Sequence, residues 1–252
     1  MFIVIKKSKL ILAVLLIAIL CIAASLCFNP KVTSAFSAAK KLPVYSVECS
    51  EKKVALTFDA AWGADKTSQI MDILEKYEMS ATFFLVGFWI DKYPEKAKEI
   101  FERGFLLGNH SANHLHMNKL SAEDMAREIE TTNAKLKEIT NEDTVFFRAP
   151  FGEYNNTLIE VLEEKNMLCV QWDVDSLDWK GLTGAQIAER ILSRVKNGSI
   201  ILCHNNSDYI LQALPLVLLG LKNKGYKSVK LNELVLREDY YIDNNGRQHK
   251  NK

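Results

Sequence analysis

The chain has 252 residues, with 32 Lys plus Arg against 31 Asp plus Glu and a formal net charge of +1. That length accommodates one large α/β domain with a sizeable core. The balanced charge gives no bias towards nucleic acid, which is excluded as an expected partner. The five cysteines form no C-x-x-C pair and imply neither a zinc knot nor a disulfide framework. Cys21 and Cys27 lie in an apolar leader, Cys49 precedes the first strand-like run, and Cys169 and Cys203 sit inside such runs as small hydrophobes.

Lys6, Lys7 and Lys9 precede an uncharged, mostly apolar run from Leu10 to Phe28. At about 1.5 Å per helical residue it approaches the roughly 30 Å of bilayer hydrocarbon. Residues 1–28 therefore read as a transmembrane helix that anchors the chain, its basic flank inside and the remainder extracytoplasmic. The alternative is a cleaved signal peptide and a secreted protein, with Ala35, Ser37 and Ala39 as small residues for a peptidase. Residues 29–53, mixed in composition and carrying Pro30 and Pro43, read as a linker and lead-in strand.

The folded domain is expected over 54–236. Val54 to Phe58 is a β-prone run stopping at Asp59, and after the Trp62-Gly63 turn Ile70, Ile73 and Leu74 carry a helical period. Ala81–Val86 reads as a strand and Pro94–Arg103 as a helix closed by Gly104. Phe105–Leu107 is the next strand, and Ser121-Ala122-Glu123-Asp124 opens a helix reaching about Ile139. Val145–Phe147 leads into Arg148, followed by a helix near Thr157–Lys165. Met167–Trp172 reads as a strand entering an acidic loop, Gly184–Lys196 as a helix, and Ser199–Cys203 as a strand ending at His204. A helix near Leu211–Lys224 and a strand at Tyr226–Val229 complete the alternation. Residues 237–252 read as a polar, disordered tail in which His249 carries no weight.

Alternating strands and helices in one domain imply a parallel sheet, open or closed into a barrel. Asp59, His110, Arg148, Asp173, Asp175 and His204 follow strands, and a barrel gathers such ends on one rim. His110 and His114, four positions apart, can turn two imidazoles towards one metal ion. Asp65 suits a helix N-cap, while Trp62, Trp89 and Trp172 suit packing. Cys203 in its apolar strand is no nucleophile.

Thr57-Phe58-Asp59, His110-Ser111-Ala112-Asn113-His114, Arg148-Ala149-Pro150-Phe151-Gly152, Asp175-Ser176-Leu177-Asp178-Trp179 and Leu202-Cys203-His204 occur in that order. Together, over about Val54 to Leu234, they resemble the polysaccharide deacetylases with the NodB homology domain, carbohydrate esterase family 4. Phe58 to Gly63 looks most like the sporulation-associated branch. The resemblance implies a distorted (β/α) barrel that hydrolyses N-acetyl groups of sugars with a divalent metal, zinc, cobalt or manganese. It assigns the metal to His110 and His114, the base to Asp59 and the acid to His204. Arg148 would position the base, and Asp175 would tune the acid. Pro150, Phe151, Gly152, Tyr154, Asp178, Trp179 and Leu202 would meet the substrate, with a backbone N–H near Tyr154 on the oxyanion. The substrate expected is an N-acetylated polysaccharide, peptidoglycan before chitin or xylan, met by a monomeric protein.

One position departs from the pattern. Most active members carry a second aspartate after the base, and here it is Ala60, whose methyl group cannot ligate. Asp65, His116 or water are the candidate replacements.

Overall fold

The computed structural model describes residues 7–28 and 40–251, divided into two compact units, 1–40 and 41–252. In the first, α1 runs over Lys7–Phe28, 22 residues. Among the described residues no helix is long and apolar enough to cross a membrane. Ala35, Ser37 and Ala39 lie outside the described residues.

The second unit begins with β1 (Ser46–Val47) and β2 (Lys53–Ala60), then α2 (Thr67–Lys76), β3 (Ala81–Leu85), α3 (Gly87–Lys92), α4 (Pro94–Glu102) and β4 (Leu106–Asn109). It continues through α5 (Ala122–Thr140), β5 (Phe146–Phe147), α6 (Asn156–Glu164), β6 (Leu168–Cys169) and β7 (Val174–Asp175). There follow α7 (Gly184–Arg194), β8 (Ile200–His204), α8 (Ile210–Asn223), β9 (Lys227–Ser228), α9 (Leu231–Leu234), β10 (Tyr240–Ile242) and β11 (Arg247–Lys250).

The main sheet has eight strands in the order β6-β5-β4-β3-β2-β8-β7, with β9 paired beside β2, and its pairs are parallel. Strands β6 and β7 end that path, so the sheet is a curled half-barrel clothed by helices. The period of two along β2 decides what each face carries. Leu56, Phe58 and Ala60 join Ile70, Leu74, Ile187 and Leu214 in the layer between sheet and helices. Ala55, Thr57 and Asp59 take the other face, where Ala55 meets Phe84, Phe146 and Ile200. Each fully buried leucine or isoleucine contributes roughly 1.5–3 kcal/mol by leaving water.

Several starts and stops follow local chemistry. The Ser121 side chain accepts from the Asp124 N–H, capping α5, and Asn141 ends it in the left-handed region at φ 57. Thr183 and Gln186 form a reciprocal capping box on α7. Asp65 does not cap α2: the N-cap is Lys66, with no side-chain cap bond.

Two expectations are corrected. The tail is ordered, because β10 pairs antiparallel with β11 and β11 pairs parallel with β1. The Gln248 side chain, buried, exchanges hydrogen bonds with the backbone of Leu236 at 2.8 Å each way. A polar stretch is thus held by backbone ladders and one buried amide, which a hydrophobic pattern does not reveal. Asp173 does not join the other strand-end residues either. Its carboxylate accepts from Ser199 Oγ and Ile200 N at 2.9 Å each, bracing the start of β8.

Candidate active site

The parallel register sets Asp59 of β2 directly beside His204 of β8. Arg148, in the segment after β5, is wholly buried and reaches across the inner face. Its Nη1 donates to Asp59 Oδ1 at 2.7 Å and Thr57 Oγ1 at 2.8 Å, and its Nη2 and Nε donate to the carbonyls of Gln171 and Val170. Burial alone would raise the Asp59 pKa, but the charge and hydrogen bond of Arg148 above all outweigh it and hold the carboxyl below its ordinary 3.8.

His110 follows β4, and its Nδ1 lies 2.8 Å from the Arg148 carbonyl. A carbonyl only accepts, so Nδ1 carries the proton and Nε2 keeps a lone pair. That lone pair stands 3.5 Å from Asp59 Oδ2. Burial lowers the His110 pKa, so the ring is neutral at ordinary pH. His114 is likewise held down, to about 4, by burial first and by His110 second. The two rings meet edge to face at 5.0 Å between centroids.

The turn between these histidines is built by polar groups that the sequence reading did not single out. Buried Glu128 on α5 accepts from the N–H groups of Ala112 and Asn113 at 3.0 and 2.8 Å, and from Asn113 Nδ2 at 2.7 Å. Ser111 Oγ accepts from His114 N, and Asn109 Oδ1 from Ser111 N. Ser111 and His114 take positive φ, 67 and 54, a conformation that persists only where the surroundings enforce it.

Neutral Nε2 of His110 facing Asp59 Oδ2 is an acceptor facing an acceptor, an arrangement suited to a cation. His110 and His114 thus fit a divalent metal at two corners. Among the described residues no group of three His, Cys, Asp or Glu converges to hold one. Ala60 is buried in the layer under the helices, Asp65 is exposed, and His116 is engaged with Glu153 at 3.0 Å and stacked on Phe151. None of the three supplies the missing corner.

The aspartate that meets His204 is Asp178, not Asp175 as expected. Asp178, 1% exposed, accepts from His204 Nδ1 at 2.7 Å and from His204 N at 2.8 Å. Asp175 lines the cleft, accepts from Leu177 N at 2.8 Å, and acts on His204 through its charge without a hydrogen bond to it. Burial lowers the His204 pKa, yet the Asp178 hydrogen bond and charge prevail and raise it above 6.5. Asp178, assigned to the substrate, thus holds the His204 ring directly, while Asp175, assigned to tune the acid, contributes to the raised pKa by charge alone.

These groups line a cleft of about 660 Å³. Phe151, Gly152, Trp179 and Leu202, assigned to the substrate, line it, Phe151 and Trp179 more than half exposed. Pro150 and Tyr154 do not line it: Pro150 is buried and Tyr154 packs against the cluster of Met117, Ile129 and Leu162. Trp62 and Trp172, expected to be packing residues, line the cleft, whereas Trp89 is buried as expected. The loop Asn205–Asp208 also lines it; its polar run after a strand was the available signal.

Residues 46–170 match the family model for polysaccharide deacetylase. The chain is 33% identical over 191 residues to a peptidoglycan-N-acetylglucosamine deacetylase of Bacillus cereus, covering 74% of this chain and 70% of that one. It is 32% identical over 193 residues to the uncharacterized protein YlxY of Bacillus subtilis, covering 77% of this chain and 60% of the relative's length. Among solved structures, wild-type BA3943 of Bacillus anthracis, a CE4 family pseudoenzyme, superposes with a TM-score of 0.74 at 29% identity, covering 82% of this chain and 72% of that one. A BA3943 mutant with restored enzymatic activity gives the same TM-score at 32% identity, covering 77% and 71%.

Proposed function

The chain belongs to the polysaccharide deacetylase family, and we propose that it removes N-acetyl groups from an extracytoplasmic glycan, peptidoglycan before others, with Asp59 as base and His204 as acid. One observation carries this reading. Two titratable groups stand side by side on one rim, and separate buried partners push their pKa values in opposite directions, Asp59 down and His204 up. Such divergence suits a base and an acid acting in one reaction.

In that reaction Asp59 takes the proton of the attacking water as its oxygen adds to the acetamide carbonyl. The C–N bond then breaks while His204 delivers a proton from Nε2 to the departing amine, leaving acetate and a free amino sugar. Asp178 holds Nδ1–H and so keeps Nε2 aimed outward. Arg148 keeps Asp59 ionised, although the same pairing makes it a weaker base. Held by His110 and His114, a zinc, cobalt or manganese ion would polarise the carbonyl and acidify the water.

The uncharged run Leu10–Phe28 behind Lys6, Lys7 and Lys9 supports an anchor that keeps this monomeric domain outside the cytoplasm. The Phe58–Gly63 stretch supports a role in spore assembly.

A second reading is a glycan-binding protein without turnover, favoured by a metal position that has two imidazoles and no third protein ligand among the described residues. Acetate release from peptidoglycan and N-acetylglucosamine oligomers, compared between wild type and His204→Ala, separates the two. Equal signals from both proteins would leave the binding reading standing.

A further inference from the structure

Glu128 is 7% exposed on α5, and a carboxylate taken that far out of water is costly unless its oxygens find donors. All three of its donors belong to the turn between His110 and His114. Oε2 takes the N–H groups of Ala112 and Asn113, the two residues before His114, and Oε1 takes Asn113 Nδ2. Farther along, α5 meets the same segment again. Asn109 Nδ2 donates to the Ile129 carbonyl at 2.8 Å and to Asn133 Oδ1 at 2.7 Å, while Asn109 Oδ1 accepts from Ser111 N.

The opposite side of the turn is held by the start of α3. Gly87 N and Phe88 N donate to the carbonyls of Ser111 and Ala112 at 2.9 and 3.1 Å. A Cβ at Gly87 would lie 2.8 Å from Thr132 Oγ1 and 3.0 Å from Ala112 Cα, so helix, turn and α3 are packed without slack. Every backbone N–H and C=O of Ser111 and Ala112 is thus paired, and His114 follows at φ 54, a sparsely populated conformation.

This clamp bears on the departure at Ala60. An ion held by two imidazoles gains less from chelation than one held by three or four ligands, and no further bond compensates for a ring that is wrongly aimed. Its affinity therefore depends on both rings being in place before it arrives. We propose that Glu128 is the positioning residue of the two-histidine metal site: by gripping Ala112 and Asn113 it fixes the turn that sets the His114 imidazole beside that of His110. The inference rests on the metal reading above and deepens it. Glu128 acts by placement, not by charge, since it meets the turn and neither ring.

Cobalt(II), whose visible absorption reports its ligands, titrated into the full chain tests this with two variants that separate placement from charge. Glu128→Gln loses the charge and keeps the length: its oxygen can accept from both N–H groups, and the exposed Asn113 amide can turn its own oxygen to the new NH₂. Glu128→Asp keeps the charge and falls one methylene short of the turn. The Gln variant should bind cobalt within about threefold of wild type and with the same spectrum, and the Asp variant about tenfold or more weakly. Thermal melting verifies each fold, and Asn113→Ala, which deletes one exposed donor, should weaken cobalt in the same sense should the Asp variant not fold. A Gln variant that binds no more tightly than the Asp or Asn113→Ala variant overturns the positioning role. A wild-type chain with no cobalt spectrum overturns the metal reading itself.

Discussion

Arg148 Nη1 lies 2.7 Å from Asp59 Oδ1, and both side chains are buried. This contact joins the fold to the chemistry, because the same guanidinium also ties down two backbone carbonyls and Thr57. Removing one partner of such a pair strands a buried charge, at a cost of about 3–5 kcal/mol. Arg148→Ala should therefore lower the free energy of unfolding in urea by about that amount. An unchanged urea midpoint would show the pair to be dispensable.

His204 and Asp178 predict a pH dependence. The folded-state pKa of His204 is raised above 6.5, so its contribution to stability is full below that value and is lost as pH rises through the folded pKa. Asp59 is the converse: its contribution is present above its ordinary 3.8 and is lost as pH falls through its lowered value. Asp178→Asn removes the strongest of the charges that raise His204, leaving Asp59 and Asp175 alone against burial. In NMR titrations the His204 ring should titrate above 6.5 in wild type and at a lower pH in the variant than in wild type. Identical titration curves would remove Asp178 from its role as the tuning partner.

A metal held by His110 and His114 stabilises the folded state by mass action, about 2.7 kcal/mol when the free ion is at 100 times its dissociation constant. Zinc titrated into wild type should raise Tm in a saturable way, and His114→Ala should abolish the shift. Because His114 stays neutral down to about pH 4, the shift should survive acidification to pH 6. A wild-type Tm indifferent to zinc, cobalt and manganese would leave the histidine pair without a metal.

Much of the architecture is legible in the chain. The alternation of apolar runs with helical periods marks the strands that carry Asp59, His110, Arg148 and His204, and the α4 and α5 boundaries fall close to those expected. What the pattern hides are contacts made by turns and buried polar groups. Asp175 and Asp178 are three apart in an acidic loop, and only the folded turn decides which one faces His204. Glu128 lies on an amphipathic helix like any solvated glutamate, yet it is buried and holds the histidine turn. The C-terminal hairpin is stabilised by strand pairing with residues about 200 positions earlier, which composition does not encode. Ala60 is legible as a departure, but its orientation towards the helix layer follows from the strand period established in the fold.

The most direct test of the account is acetate release from N-acetylglucosamine oligomers and peptidoglycan by three folded proteins: wild type, Asp59→Asn and His204→Gln. The account predicts release by wild type and a loss of about 100-fold or more in each variant, the range over which a positioned base or acid acts. Equal background release from all three would contradict it.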